Sequence, residues 1–400
     1  MPHPLFDRYI PRLAFIVALV TLAGACATGP SGRMAPGVEA REAGAFVVRL
    51  GSDTLAVERF TRTPGQVEGS VLARSPKTNV QEYTGSYGAN GGVTNFTLAS
   101  RAAADTAAPT RATVDVRGDS VWVRTERGAR VQDTTLVVQA PVLPWIGNSY
   151  ALFEPAFVQL RASGADTLRM ALFPVGGRRT VPVTFTRLGS DSVAIELFSG
   201  RSVARVDDEG RLLAWDGRGS TMQVRVEREA AVDLERLTAE YTAAERRGRT
   251  LGTLSPRDSV QVETAGATLR IDYGRPRARG REIFGGVVPW NEVWRTGANA
   301  ATRFSTSRDL ELGGVMVPEG SYTLFTLPTP DGWQLIVNRQ TGQWGTEYDP
   351  ARDLARIPMR VERTRQPVEA FTISVDPNGN GGVLALEWAD TRATVDFIVR

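Results

Sequence analysis

The chain has 400 residues, 42% hydrophobic and 23% charged, with a formal net charge of +3. That balance excludes both a disordered polymer and a polytopic membrane protein, and the length favours two domains, each with its own core. The one cysteine, Cys26, rules out a disulfide within the chain.

Residues 1–25 read as an export signal. Arg8 and Arg12 make a basic start, residues 13–22 are apolar except for Thr21, and Ala23, Gly24 and Ala25 lead into Cys26. The apolar run is too short for a comfortable bilayer span. Leu22-Ala23-Gly24-Ala25-Cys26 resembles the lipobox of bacterial lipoproteins, which implies that Cys26 is acylated and becomes the mature N-terminus. An ordinary signal peptide cleaved nearby is the alternative. Ala27 after the cysteine implies, by the same resemblance, an outer-membrane lipoprotein facing the periplasm, its membrane partner reached through two or more acyl chains. Cleavage also removes Asp7, Arg8 and Arg12 and leaves the mature chain close to neutral. Its arginines are interleaved with acids, so no nucleic-acid partner is expected despite a sequence pI near 9.2.

Residues 26–43, rich in Gly, Pro, Ala and Ser, form a flexible tether. Residues 44–229 form an antiparallel β domain, because short alternating runs at 45–50, 54–60, 112–116, 120–125, 180–186 and 192–198 are separated by Gly, Asp and Ser turns. Residues 50–60 echo 188–198 as turn plus strand, through either duplication or the ordinary recurrence of a β-meander. A long curved sheet or an open barrel fits this half, with a surface loop or short helix at 99–109.

Residues 230–258 are helix and linker. Val232, Leu234, Leu237, Tyr241 and Ala244 share one helical face, and Gly248, Gly252, Ser255 and Pro256 then interrupt the chain. Residues 259–400 form a β-sandwich or jelly roll, with strands at 267–273, 301–306, 321–327, 333–338, 355–362, 368–375, 382–388 and 393–399. The fold class is therefore all-β: an N-terminal antiparallel sheet or open barrel, one connecting helix and a C-terminal β-sandwich.

The chain's only histidine, His3, leaves with the leader. That excludes Ser-His-Asp and Cys-His catalysis, His metal ligation and the usual proton shuttle near neutral pH. Lys77, the only lysine, sits in a polar turn and is discounted as a Schiff base. No catalytic residue is assigned, and no cofactor or metal is expected. Asp376-Pro377-Asn378-Gly379-Asn380-Gly381 with Glu387 has the spacing of a calcium loop, but the flanks alternate as strands and predict a hairpin instead.

The richest segment is 284–304, where Trp290, Glu292, Trp294, Arg295, Asn299 and Arg303 lie among glycines. Rings supply stacking area and polar groups fix orientation, so Trp290, Glu292, Trp294, Arg295 and Asn299 are the candidate ligand-binding residues. Alternatively the two tryptophans cap the sandwich, with Arg295 satisfied by Glu292 or Asp272.

Residues 274–281, 283–290 and 293–299, with Gly320-Ser321-Tyr322-Thr323-Leu324-Phe325, Trp333, Gln343-Trp344-Gly345 and Leu386-Glu387-Trp388, resemble the bacterial domain of unknown function 2911. The resemblance covers about residues 266–399. It implies a secreted or lipid-anchored β domain and supplies no reaction. The first half is like the open barrels of lipoprotein carriers at fold level only. The expected function is a lipid-anchored envelope protein that binds a small molecule, glycan or protein without catalysis. The alternatives are a hydrolase using Glu292 with Asp272 or Asp349, and a structural or assembly module.

Overall fold

A computed structural model of the chain describes residues 41–105, 107–197 and 199–400. The expected export signal, Cys26 and all but the last residues of the expected tether lie outside the described residues.

Strands β1 (Glu42–Leu50), β2 (Asp53–Thr63), β3 (Gln66–Ala73), β4 (Asn79–Tyr87), β5 (Val93–Ala102), β6 (Thr110–Arg117), β7 (Ser120–Arg127) and β8 (Arg130–Val137) form a continuous antiparallel meander. After β9 (Val142–Trp145), a 3-10 turn at Ala151–Phe153 leads into helix α1 (Glu154–Ser163). A second meander follows: β10 (Thr167–Pro174), β11 (Val181–Arg187), β12 (Ser192–Leu197), β13 (Gly200–Val206), β14 (Leu212–Asp216) and β15 (Arg225–Glu229). Pairing of β1 with β15 joins the two meanders into one sheet of fifteen strands, open at β8 and at β9, which runs parallel to β10.

Alternation places the side chains. On β7, Val121 and Val123 are buried while Trp122 and Arg124 face out. The concave face wraps around the α1 segment, where Phe153 and Phe157 meet Phe185 edge-on and Tyr150 and Phe153 pack on Trp215. Gly69 permits the tight curvature beside Tyr83, whose ring and hydroxyl occupy the space that a Cβ would need.

α1 was not expected from the sequence. It has ten residues, begins with Pro155 in its first turn and ends at Gly164, whose φ of 65° is left-handed. Glu154, Ala156, Phe157 and Leu160 are all buried, so no polar stripe marks a helical period. Residues 99–102, read as loop or helix, belong instead to β5; all four pair with β4, and Ala99 and Ser100 pair with β6 as well. Ladder hydrogen bonds from both neighbours outweigh the poor β-propensity of alanine there.

The expected connecting helix is α2 (Leu234–Arg246). The Asp233 side chain caps it by accepting from the Arg236 N–H at 2.8 Å. It is tied to the outside of the first sheet by an Arg59–Glu235 ion pair, by Arg74 over the Tyr241 ring, and by the Thr78 N–H bonded to Glu245.

The second sheet comprises β16 (Arg257–Thr264), β17 (Ala267–Gly274), β18 (Thr302–Thr306), β19 (Leu310–Leu312), β20 (Val315–Val317), β21 (Gly320–Thr329), β22 (Gly332–Asn338), β23 (Asp353–Asn378) and β24 (Gly381–Val399). The strand pairs expected at 355–362 with 368–375, and at 382–388 with 393–399, are each one long strand. β23 pairs with β22 as far as Met359 and with β24 from Arg360 onward, and register shifts between Arg363 and Thr372 bend the pair of long strands. The folded-over sheet is a β-sandwich, closed on Phe304, Leu324, Trp333, Phe371 and Trp388. Residues 378–381 make the expected hairpin, with Glu387 out along β24 opposite Thr372 and bonded to Arg392.

The β1–β2 turn meets the loop after β17. The Ser52 N–H donates to the Arg279 carbonyl at 3.1 Å, and the Arg279 guanidinium pairs with Asp53. Gly51 has φ of 60°, and a Cβ on it would collide with the same carbonyl.

Candidate functional site

The five residues expected to bind ligand are divided by strand-like alternation. Trp294 is 8% exposed and belongs to the sandwich core, stacked on Trp388 with centroids 5.8 Å apart and edge-on to Phe371. Its backbone exchanges hydrogen bonds with Thr326, so its neighbours Val293 and Arg295 point the other way. Val293 packs on a small outer cluster of Ala301, Phe325 and Ile336. The Arg295 stem lies against Gly345, where a Cβ would displace it. Trp290 is exposed and leans on Phe284. Asn299 is exposed at φ 64° and accepts the Gly345 N–H through its carbonyl at 2.9 Å.

The structure thus brings Arg295 and Asn299 together over Gly345 and takes Trp294 away from them. The expected pairing of Arg295 with Glu292 or Asp272 is not made. Asp272 is bound by Arg270 at 3.0 and 3.2 Å, Glu292 is exposed, and the buried Arg295 Nε has no hydrogen-bond partner. Desolvation alone pushes the Arg295 pKa down. Asp349, the other carboxylate considered for hydrolysis, caps a 3-10 turn by accepting from the Ala351 N–H.

Sequence reasoning missed two carboxylates inside the first sheet. Glu58 on β2 is fully buried, and its Oε1 accepts from the hydroxyls of Tyr83 and Ser149. Its Oε2 accepts the N–H groups of Tyr150 at 2.7 Å and Ala151 at 3.1 Å. Burial pushes its pKa up against these four bonds. The available signal was Ala56-x-Glu58-x-Phe60, a carboxylate in register with two inward apolar residues.

Glu154, at the start of α1, is also fully buried. Its Oε1 accepts from Arg228 Nη1 at 2.7 Å and from the Leu212 N–H at 2.8 Å. Arg62 Nη1 lies 3.0 Å from Oε2 without hydrogen-bond geometry, and Glu42 binds both arginines. Burial outweighs the two guanidinium charges, and the Glu154 pKa is pushed up to about 7.

Arg62 and Glu42 line a cleft of about 500 Å³ bounded by the β2–β3 turn, the end of β4 and α1. Val67, Pro155, Val158 and Ala162 supply apolar walls and Gln159 a polar group. Tyr87 also lines it; its hydroxyl is buried with no partner, and desolvation with the nearby Glu58 charge pushes its pKa up.

The fold is thus that of a two-sheet, all-β protein with a helix lodged in its first sheet and a sandwich as its second. Residues 255–397 match the model of a family described as protein of unknown function (DUF2911), which bears out the resemblance carried by the C-terminal residues. A search of the curated proteins finds no match. Among solved structures, a DUF1089 family protein from Pseudomonas aeruginosa has 15% identity and a TM-score of 0.32, covering 41% of this chain and 90% of its own. A β-barrel-like protein of domain of unknown function DUF1849 from Brucella abortus has 12% identity and a TM-score of 0.32, covering 47% of this chain and 94% of its own.

Proposed function

We propose that this protein is a lipid-anchored component of the cell envelope that binds a small amphipathic ligand, without catalysis, in the cleft beside α1. The observation that carries the reading is the buried, unpartnered Tyr87 hydroxyl set among apolar walls next to the Arg62–Glu42 pair. Apolar walls take a ligand's body, and a few convergent polar groups fix its head. The rim formed by Arg295 and Asn299 is a weaker candidate, because the Trp294 ring lies in the core.

The cleft is tested with 1-anilinonaphthalene-8-sulfonate, which joins an apolar body to an anionic head. Val158 is 40% exposed, so Val158→Asp should leave the melting temperature within a degree or two of the parent. We expect saturable, blue-shifted binding by the parent and at least tenfold weaker binding by the variant. Absence of saturable binding, or equal affinity in the two proteins, defeats the reading. The anchor is tested by Cys26→Ser, which should move the protein from the membrane to the soluble fraction; a variant that stays with the membrane refutes acylation at Cys26.

A further inference from the structure

A second cleft, of about 400 Å³, opens where the β1–β2 turn and the strand β15 meet the loop at 280–287. Four arginines line it, Arg49, Arg218, Arg225 and Arg281, against two carboxylates, Glu227 and Glu282. Three observations set this cluster apart from an ordinary solvated surface.

Arg49 and Arg225 are direct register partners on neighbouring antiparallel strands. Like charges placed opposite one another destabilise a sheet unless something between them compensates. Among the described residues, the one side-chain hydrogen bond of Arg49 goes to the Thr54 hydroxyl, at 3.4 Å. The register partner of Arg225 on β14 is Asp216, and Asp216 is held by Arg218 at 2.9 Å.

Arg281 is half-buried and its guanidinium is already oriented. Its Nε donates to the Ala278 carbonyl at 3.0 Å and its Nη2 to the Arg277 carbonyl at 2.7 Å, with no carboxylate in bonding range. The walls are held in register by the Ser52 and Asp53 contacts to Arg279 beside the cleft.

From this juxtaposition we infer that the junction cleft binds a phosphate-bearing small ligand, recognised by the guanidinium groups of Arg49, Arg225 and Arg281. Guanidinium forks match phosphate oxygens two at a time, and a pre-oriented fork loses little freedom on binding. Glu227 and Glu282 on the same rim accept hydrogen bonds, which suits a phosphate carried on a hydroxylated body. A free phosphorylated solute and a phospholipid headgroup share this chemistry.

The test uses the full chain in the Cys26→Ser background, so that no acyl chain confounds a vesicle assay. One arm titrates pyrophosphate calorimetrically at low salt; the other sediments the protein with phosphatidylglycerol vesicles. Arg225→Gln and Arg281→Gln are compared with Arg124→Gln, a control on β7 far along the sheet. We expect pyrophosphate binding that weakens with salt and falls at least tenfold in Arg225→Gln and Arg281→Gln but not in Arg124→Gln, at unchanged melting temperature. Vesicle binding with the same dependence on Arg225 and Arg281 would assign the headgroup as the source. Binding in neither arm, or binding that the cleft variants leave intact or that Arg124→Gln weakens equally, overturns the inference.

Discussion

Glu58→Ala is expected to lower the unfolding free energy by about 3–5 kcal/mol, the range reached when two buried backbone donors lose their acceptor together and a cavity is left behind. The carboxylate holds four donors at once. Two are hydroxyls that can turn elsewhere, but the Tyr150 and Ala151 N–H groups are fixed by the backbone turn that starts α1. Each buried donor left without an acceptor costs about 1–3 kcal/mol. The same bonds seat the 149–151 segment on β2, so their loss loosens the α1 insertion as well as one side chain.

Glu58→Gln separates hydrogen bonding from packing. Its amide oxygen can take the Oε2 position and accept both N–H groups. Its NH2 then faces the Tyr83 and Ser149 hydroxyls, which can rotate to accept. Glutamine should therefore cost only about 1–2 kcal/mol, in keeping with ordinary hydrogen-bond rearrangement. Urea unfolding of the parent and both variants is the measurement. An alanine variant within 1 kcal/mol of the parent, or a glutamine variant as damaged as alanine, would show that the network does not hold the insertion.

Stability should also fall as the pH is raised from about 5 to about 8, with Glu154 as the main cause. Its pKa is raised from an ordinary 4.5 to about 7 in the folded protein. A carboxyl group shifted in this direction gives its full stabilisation below pH 4.5, where it is protonated folded and unfolded alike. That stabilisation is lost as the pH rises through about 7, because folding must then desolvate a charge. The shift corresponds to a loss of about 3 kcal/mol. Glu58, also raised, acts in the same sense. Glu154→Gln should flatten most of the slope between pH 5 and 7 while the part from Glu58 remains. Urea melts at intervals of one pH unit would register this. A parent whose stability is flat or rises across that window would mean that Arg62 and Arg228 keep Glu154 ionised at little cost.

Features governed by short periods were legible before any fold was known. Alternation located β1, β2, β6, β7, β11 and β12, and the 3.6-residue period through Leu234, Leu237, Tyr241 and Ala244, interrupted after it by Gly248, located α2. The Asn378–Gly381 hairpin followed from turn residues between alternating flanks. The lack of any histidine beyond His3 needed no structure at all. α1 escaped because its buried face includes Glu154 while its exposed face includes Val158 and Ala162, which leaves little contrast between faces, and the long β23 and β24 were split because their bends resemble turns.

What no local pattern could supply is which distant groups meet. Glu58 accepts a hydrogen bond from Ser149, 91 residues away, and Glu42 pairs with Arg228, 186 residues away. Arg295 has acids nearby in sequence and meets none of them, because Trp294 turns into the core and sends its neighbour to the other face. The pairing of β1 with β15, which completes the first sheet and sets Arg49 against Arg225, joins strands more than 170 residues apart. Alternation and turn chemistry act within a few residues and so are written into short stretches of chain. The partners of a buried charge depend on loop closure and sheet order, which take shape only when the whole chain folds.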